Sequence, residues 1–164
     1  MLNVGLNIIV ALFLLTVLPC KATLLDDGAF ETINISADEA YEDIQPGILH
    51  FRGHFLMQGR DWRLESGRAT VYGPPERPDK VYLEGTPVRL TVDRNDGSGR
   101  GAIVAVAAVL EYMRSTSMLK LSGGAVLKLD GEVIRSSLIE YNISTDRYWA
   151  GGADGVTIEV AVAD

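Results

Sequence analysis

The feature that most constrains this chain is a strict two-residue alternation that recurs after residue 30 and repeats itself 70 residues later. Leu49, Phe51, Gly53, Phe55 and Met57 fall on one parity, and His50, Arg52, His54 and Gln58 on the other. Successive side chains of a strand point to opposite faces, so such a segment carries one apolar and one polar face. Val88, Leu90 and Val92 behave the same way, as do Leu119, Leu121, Ala125, Leu127 and Leu129, and then Val156, Ile158, Val160 and Val162. Sliding the chain by 70 residues puts Ala37 on Ala107, Leu49 on Leu119, Gly53 on Gly123, Ser66 on Ser136, Gly85 on Gly155 and Val92 on Val162. A small-residue step recurs in each copy, at Ser36-Ala37, Ser66-Gly67, Val106-Ala107 and Ser136-Ser137. The reading is an all-β stack of short strands, each burying its apolar face against the next. Val104 to Leu110 is the one helix-like stretch, and the repeat frame makes it a strand.

Breaks agree with that reading. Three prolines between Gly73 and Asp79 remove ladder donors, which excludes this segment from a sheet interior. Asp93 to Gly101 is a polar loop, and Asp130-Gly131 is a tight hairpin signal. No composition shift marks a boundary within residues 23–164, so one domain is expected there.

The N-terminal segment has a different character. Ile8 to Leu18 is an apolar run followed by Pro19-Cys20-Lys21-Ala22 and the acids Asp26-Asp27. Small residues at Cys20 and Ala22 fit a secretory signal over residues 1–22, cut after Ala22. The same run, if kept, would be a membrane anchor over residues 4–20, although it is shorter than the ~20 apolar residues a span needs. Lipidation at Cys20 is disfavoured by Pro19. Cleavage would remove Lys21 and no acid, leaving 14 bases against 22 acids, net −8, and no cysteine.

The full chain has 15 basic and 22 acidic residues, a net charge of −7. That balance argues against a nucleic-acid binder, which needs a basic stripe to displace phosphate counterions. A single cysteine excludes an internal disulfide framework. His50 and His54 form a His-x-x-x-His pair, but a strand sets them roughly 13 Å apart, too far to share a metal. Asp93 to Gly101 lacks the Lys-Ser/Thr of a phosphate-cradling loop, and no Gly-x-Ser-x-Gly elbow occurs. Neither a cofactor nor a catalytic constellation is expected. Arg52, Arg60, Arg63 and Arg68 are a candidate cationic cluster, with a solvated strand face as the alternative.

Several motifs carry a family resemblance. Ile33-Asn34-Ile35-Ser36-Ala37-Asp38-Glu39-Ala40 with Asp43 resembles the opening strand of the LptA/OstA family of periplasmic lipopolysaccharide-transport proteins. Leu49-His50-Phe51-Arg52-Gly53-His54-Phe55 resembles its next strand, Gly85-Thr86-Pro87-Val88 its Gly-x-Pro motif, and Leu119 to Ala125 its Leu-x-Gly-x-Ala signature. Gly67 and Ala108 replace an Asp often found at those steps. The series runs in family order from about Ile33 to Val160.

The resemblance implies an open V-shaped β-jellyroll of stacked antiparallel strands whose apolar lining receives the acyl chains of lipopolysaccharide. On that basis the groove lining is expected at Ile33, Ile35, Ile44, Leu49, Phe51, Phe55, Met57, Leu121 and Leu127. The resemblance further implies head-to-tail self-association, an LptC-like inner-membrane partner and an LptD-like outer-membrane partner. Two other readings stand beside the carrier: an anchored LptC-like relay, and a β-repeat scaffold that binds only protein through its edges.

Overall fold

The computed structural model describes residues 32–94 and 101–161. The proposed leader or anchor, most of the Asp93–Gly101 loop and Val162 lie outside these residues. Nine strands follow one another: β1 (Asn34–Ser36), β2 (Glu39–Glu42), β3 (Ile48–Gln58), β4 (Trp62–Tyr72), β5 (Lys80–Val92), β6 (Ile103–Met113), β7 (Met118–Leu129), β8 (Glu132–Asn142) and β9 (Arg147–Val160). All pairings are antiparallel between sequence neighbours, except that β1 and β2 share one edge of β3. The sheet does not close, and β9 ends it on the far side. Val104 to Leu110 is strand, within β6, as the repeat frame requires. The only helical turn among the described residues is a 3₁₀ turn at Arg114–Thr116.

Each long strand is interrupted near its middle, where the pairing register slips. The slips fall between Arg52 and Phe55, Glu65 and Arg68, Glu84 and Val88, Val106 and Val109, Ser122 and Ala125, and Ser136 and Leu138. Small residues and extra residues at these positions bend a strand. The repeating Ser/Ala/Gly steps of the sequence are therefore a continuous seam of bulges. The break between β1 and β2 at Ala37-Asp38 is the same seam met at the sheet's edge.

The seam divides every strand into two limbs. On one limb a row of cross-strand partners runs Ile35, Met57, Leu64, Leu90, Ala105, Leu127, Ile134 and Ile158. On the other a row runs Ala40, Phe51, Ala69, Leu83, Leu110, Leu121, Ile139 and Ala150. Cross-strand partners share a face, and both rows are buried except at their ends. The two rows belong to one apolar core, so the limbs face each other across it.

The 70-residue repeat is visible in the pairing itself. Asn34↔Gln58 becomes Val104↔Lys128, Glu39↔Arg52 becomes Val109↔Ser122, and Phe55↔Ser66 becomes Ala125↔Ser136. The last strand departs from it. Trp62 pairs with Val92, whereas Glu132 pairs with Val160. Val160 rather than Val162 is thus the counterpart of Val92, because the turn between β8 and β9 is three residues shorter than that between β4 and β5 and the seam of β9 restores only one of them.

Candidate functional site: an apolar trough between the limbs

Between the limbs lies a cavity of about 350 Å³, open to solvent on one side. Ile33, Met57, Trp62, Leu64, Leu90 and Val92 line it from one limb, and Val81, Leu110, Tyr112, Leu119 and Ile143 from the other. Its surface is overwhelmingly apolar because both limbs turn their interior parity toward it. At the rim stand Glu76, Arg77 and Pro78 of the β4–β5 loop, with Arg114. Arg114 is ion-paired with Asp79 through Nη2, while its Nε is shielded from solvent without a partner. A cavity of this kind is apolar along its walls and offers polar groups only at its edge.

The sequence-predicted lining residues fall into three groups. Ile33 and Met57 line the cavity. Phe51, Phe55, Leu121 and Leu127 are packed into the core behind it, and Ile35 and Leu49 are half-buried against that core. Phe51 and Phe55 stand ring to ring across the bulge, centroids 5.1 Å apart. Ile44 corrects the expectation: it lies in the turn between β2 and β3 and is 100% exposed, so it does not face the trough. Period-two reading placed it by parity, but the strand ends at Glu42, and parity has no meaning in a turn.

The lining residues that the sequence reading left out are mainly Trp62, Leu64, Val81, Leu110 and Tyr112. Their signal was present but masked. In β4 the buried parity runs through Leu64 and Ser66, then switches to Ala69 and Val71. A one-residue bulge inverts parity, so a template without the slip loses half of such a strand.

The four arginines do not form one cluster. Arg52 and Arg68 are direct cross-strand partners on the outer face, where Arg52 donates to the Tyr41 hydroxyl at 3.1 Å and Arg68 lies 3.9 Å from Glu84. Arg63 is paired with Glu65 at 2.7 Å. The histidines are likewise separated: His50 Nε2 lies 2.8 Å from Asp43 and His54 Nδ1 2.8 Å from Asp38. The hydrogen bond from the Gln45 amide, and then the one with His50, hold the Asp43 carboxyl below the ordinary range. Among the described residues no group of three or more His, Cys, Asp or Glu is placed to hold a metal ion.

A second polar constellation joins the tips of the two limbs, apart from the residues that line the cavity. Arg94, just beyond β5, donates from Nη1 to both oxygens of Asp130 at 2.9 and 3.1 Å. From Nη2 it donates to the Tyr141 hydroxyl at 3.0 Å and to Asp146 Oδ1 at 2.7 Å. Tyr141 donates in turn to Asp146 Oδ1 at 2.5 Å. Burial first, and then the bond to Asp146, push the Tyr141 phenol up to about 12. Burial by itself would lower Arg94, but the hydrogen bond to Asp146 and the surrounding charges outweigh it and raise the guanidinium above its usual value. Nearby, Tyr148 donates to Glu132 at 3.3 Å.

Comparison with known proteins agrees with this geometry. No curated protein matches the sequence. The crystal structure of LptH from Pseudomonas aeruginosa, described as the LptA homologous periplasmic component of the conserved lipopolysaccharide transport device, superposes with a TM-score of 0.70 at 17% identity. The match covers 80% of this chain and 96% of that one. At that identity the likeness speaks for the fold, an open β-jellyroll. The family model described as LptA/(LptD N-terminal domain) LPS transport protein matches residues 34–147, from β1 to the first residue of β9. The chain belongs to this family of lipopolysaccharide-transport proteins.

Proposed function

We propose that the chain is an exported carrier that takes the acyl chains of lipopolysaccharide into the trough and passes them toward the outer membrane. The observation that carries this reading is the open apolar cavity lined from both limbs. Each methylene moved from water into such a lining contributes about 0.8 kcal/mol, so a net-acidic protein can hold an anionic lipid by its tails alone. The sugars stay in water. The step is passive, and an energy-consuming machine at the inner membrane drives it.

Assembly follows from the edges. A sheet that does not close leaves unpaired backbone groups on its terminal strands, which invites strand addition. At the β9 edge, Val156, Ile158 and Val160 continue the interior parity yet remain exposed. A second copy adding its β1–β2 edge there would prolong both sheet and trough. An LptC-like protein at one end and an LptD-like protein at the other would complete a bridge through the periplasm. If the Ile8–Leu18 run is retained, the same domain serves instead as an anchored relay, and the N-terminal residue of the exported protein decides between them.

The test is capture of purified lipopolysaccharide by the tagged chain. Retention that is lost in Ile33→Asp, with the β-sheet circular dichroism unchanged, is the expected result. Equal retention by both proteins, or none by either, overturns the carrier reading in favour of a protein-binding scaffold.

A further inference from the structure

Asp130 and Asp146 flank the two ends of β8, an 11-residue strand. A straight strand of that length would separate them by on the order of 35 Å, yet the one guanidinium of Arg94 binds both. The strand is folded at its Ser136–Leu138 seam, and Arg94 ties the limb tips together. Its side chain is only 7% exposed. The bond from Tyr148 to Glu132 makes a second tie between the limbs one strand further on.

We propose that Arg94 is a latch, a positioning residue that closes the C-terminal part of the trough and must let go for an acyl chain to move from the cavity to the β9 edge. The proposal rests on the carrier reading above. Three observations lead to it. The latch lies between the cavity, which reaches Leu119 and Ile143, and the exposed apolar strip of Val156, Ile158 and Val160. Its contacts are hydrogen bonds and ion pairs, which water can replace as the limbs part, whereas the apolar rows beneath it have no such exchange partner. Asp130, Tyr141 and Asp146 all meet the same guanidinium, so its release parts all three from it at once. Opening is then a two-state event rather than a gradual widening.

The experiment uses the full chain with Cys20→Ser. Photo-reactive residues at Ile33 and, separately, at Ile158 report lipopolysaccharide in the cavity and beyond the latch. A short cleavable bismaleimide joining Asp130→Cys to Asp146→Cys locks the limb tips together. Locking is expected to lower the ratio of Ile158 to Ile33 adducts at least fivefold, and cleavage of the linker in the same sample to restore it. Arg94→Gln is expected to raise that ratio. An adduct ratio indifferent to locking overturns the latch. A second readout needs no lipid: spin labels at Lys128 and Arg147, on opposite limbs, should show a broader and longer distance in Arg94→Gln than in the parent. An unchanged distance overturns the latch even if lipid binds. Absence of adducts at both positions, with the distance shift present, overturns the carrier reading and leaves the latch standing as a structural tie. The locked and cleaved forms keep the comparison intact if Arg94→Gln does not fold.

Discussion

Gly53 and Gly123, 70 residues apart, occupy the same left-handed backbone position in the same bulge, with φ of +70° and +78°. A Cβ on Gly53 would meet the Asp38 side chain at 2.1 Å, and a Cβ on Gly123 would meet the Ala108 methyl at 2.7 Å. Asp38 and Ala108 are themselves repeat partners, so both copies fold the strand over the neighbouring small step. This pair of positions is the hinge line from which the two limbs diverge.

Gly123→Ala is therefore expected to destabilise the fold by about 1–3 kcal/mol, because it adds strain at a positive φ and a clash with Ala108. Gly124→Ala, with φ +66° but open space around the position, should cost less, about 1 kcal/mol. Urea unfolding of the two variants checks the order, and equal losses would remove the close-approach argument.

Tyr141 makes stability depend on alkaline pH. Its folded-state value is pushed up to about 12, above the ordinary 10. The neutral phenol is thus favoured by folding, and its contribution is complete below pH 10. As pH rises from 10 toward 12 the unfolded chain loses the proton first, and up to about 3 kcal/mol is lost. The unfolding midpoint followed across that window should fall more steeply for the parent than for Tyr141→Phe. Parallel curves would contradict the buried-phenol account.

Core and trough should respond differently to mutation. Leu121 is fully buried, so Leu121→Ala is expected to cost about 2–5 kcal/mol. Val92 is half-buried at the cavity wall, so Val92→Asp should leave thermal unfolding within a few degrees of the parent while lowering lipopolysaccharide capture at least tenfold. Loss of fold in Val92→Asp with capture intact in the surviving fraction would place the cargo elsewhere.

The β9 edge gives a further prediction. Outward-facing amides alternate along an edge strand, so Thr157→Pro and Ile158→Pro together sample both alternations. One of the two should abolish concentration-dependent growth in light scattering. Growth in both would assign assembly to another surface.

Much of this architecture was legible in the chain. Alternation around Phe51, Leu90, Leu121 and Ile158 marks strands directly, and the Ser66-Gly67 and Ser136-Ser137 steps mark the seam. What alternation cannot convey is a parity switch inside a strand, as between Ser66 and Ala69, because one extra residue inverts every side chain after it. A constant slide of 70 residues sets Val92 on Val162 because it cannot register that the β8–β9 turn is three residues shorter than the β4–β5 turn. Ile44 was misplaced because a turn has no faces. Arg94, Tyr141 and Asp146 carry no local signal at all: they are brought together only when β8 folds back on itself.

The most direct test of the central claim is photo-crosslinking inside the cell from Val92, which lines the trough, against Arg89 on the exposed face of the same strand. Lipopolysaccharide adducts at Val92 and none at Arg89 are the expected result. Adducts at neither position, or equally at both, would contradict a trough that carries lipid.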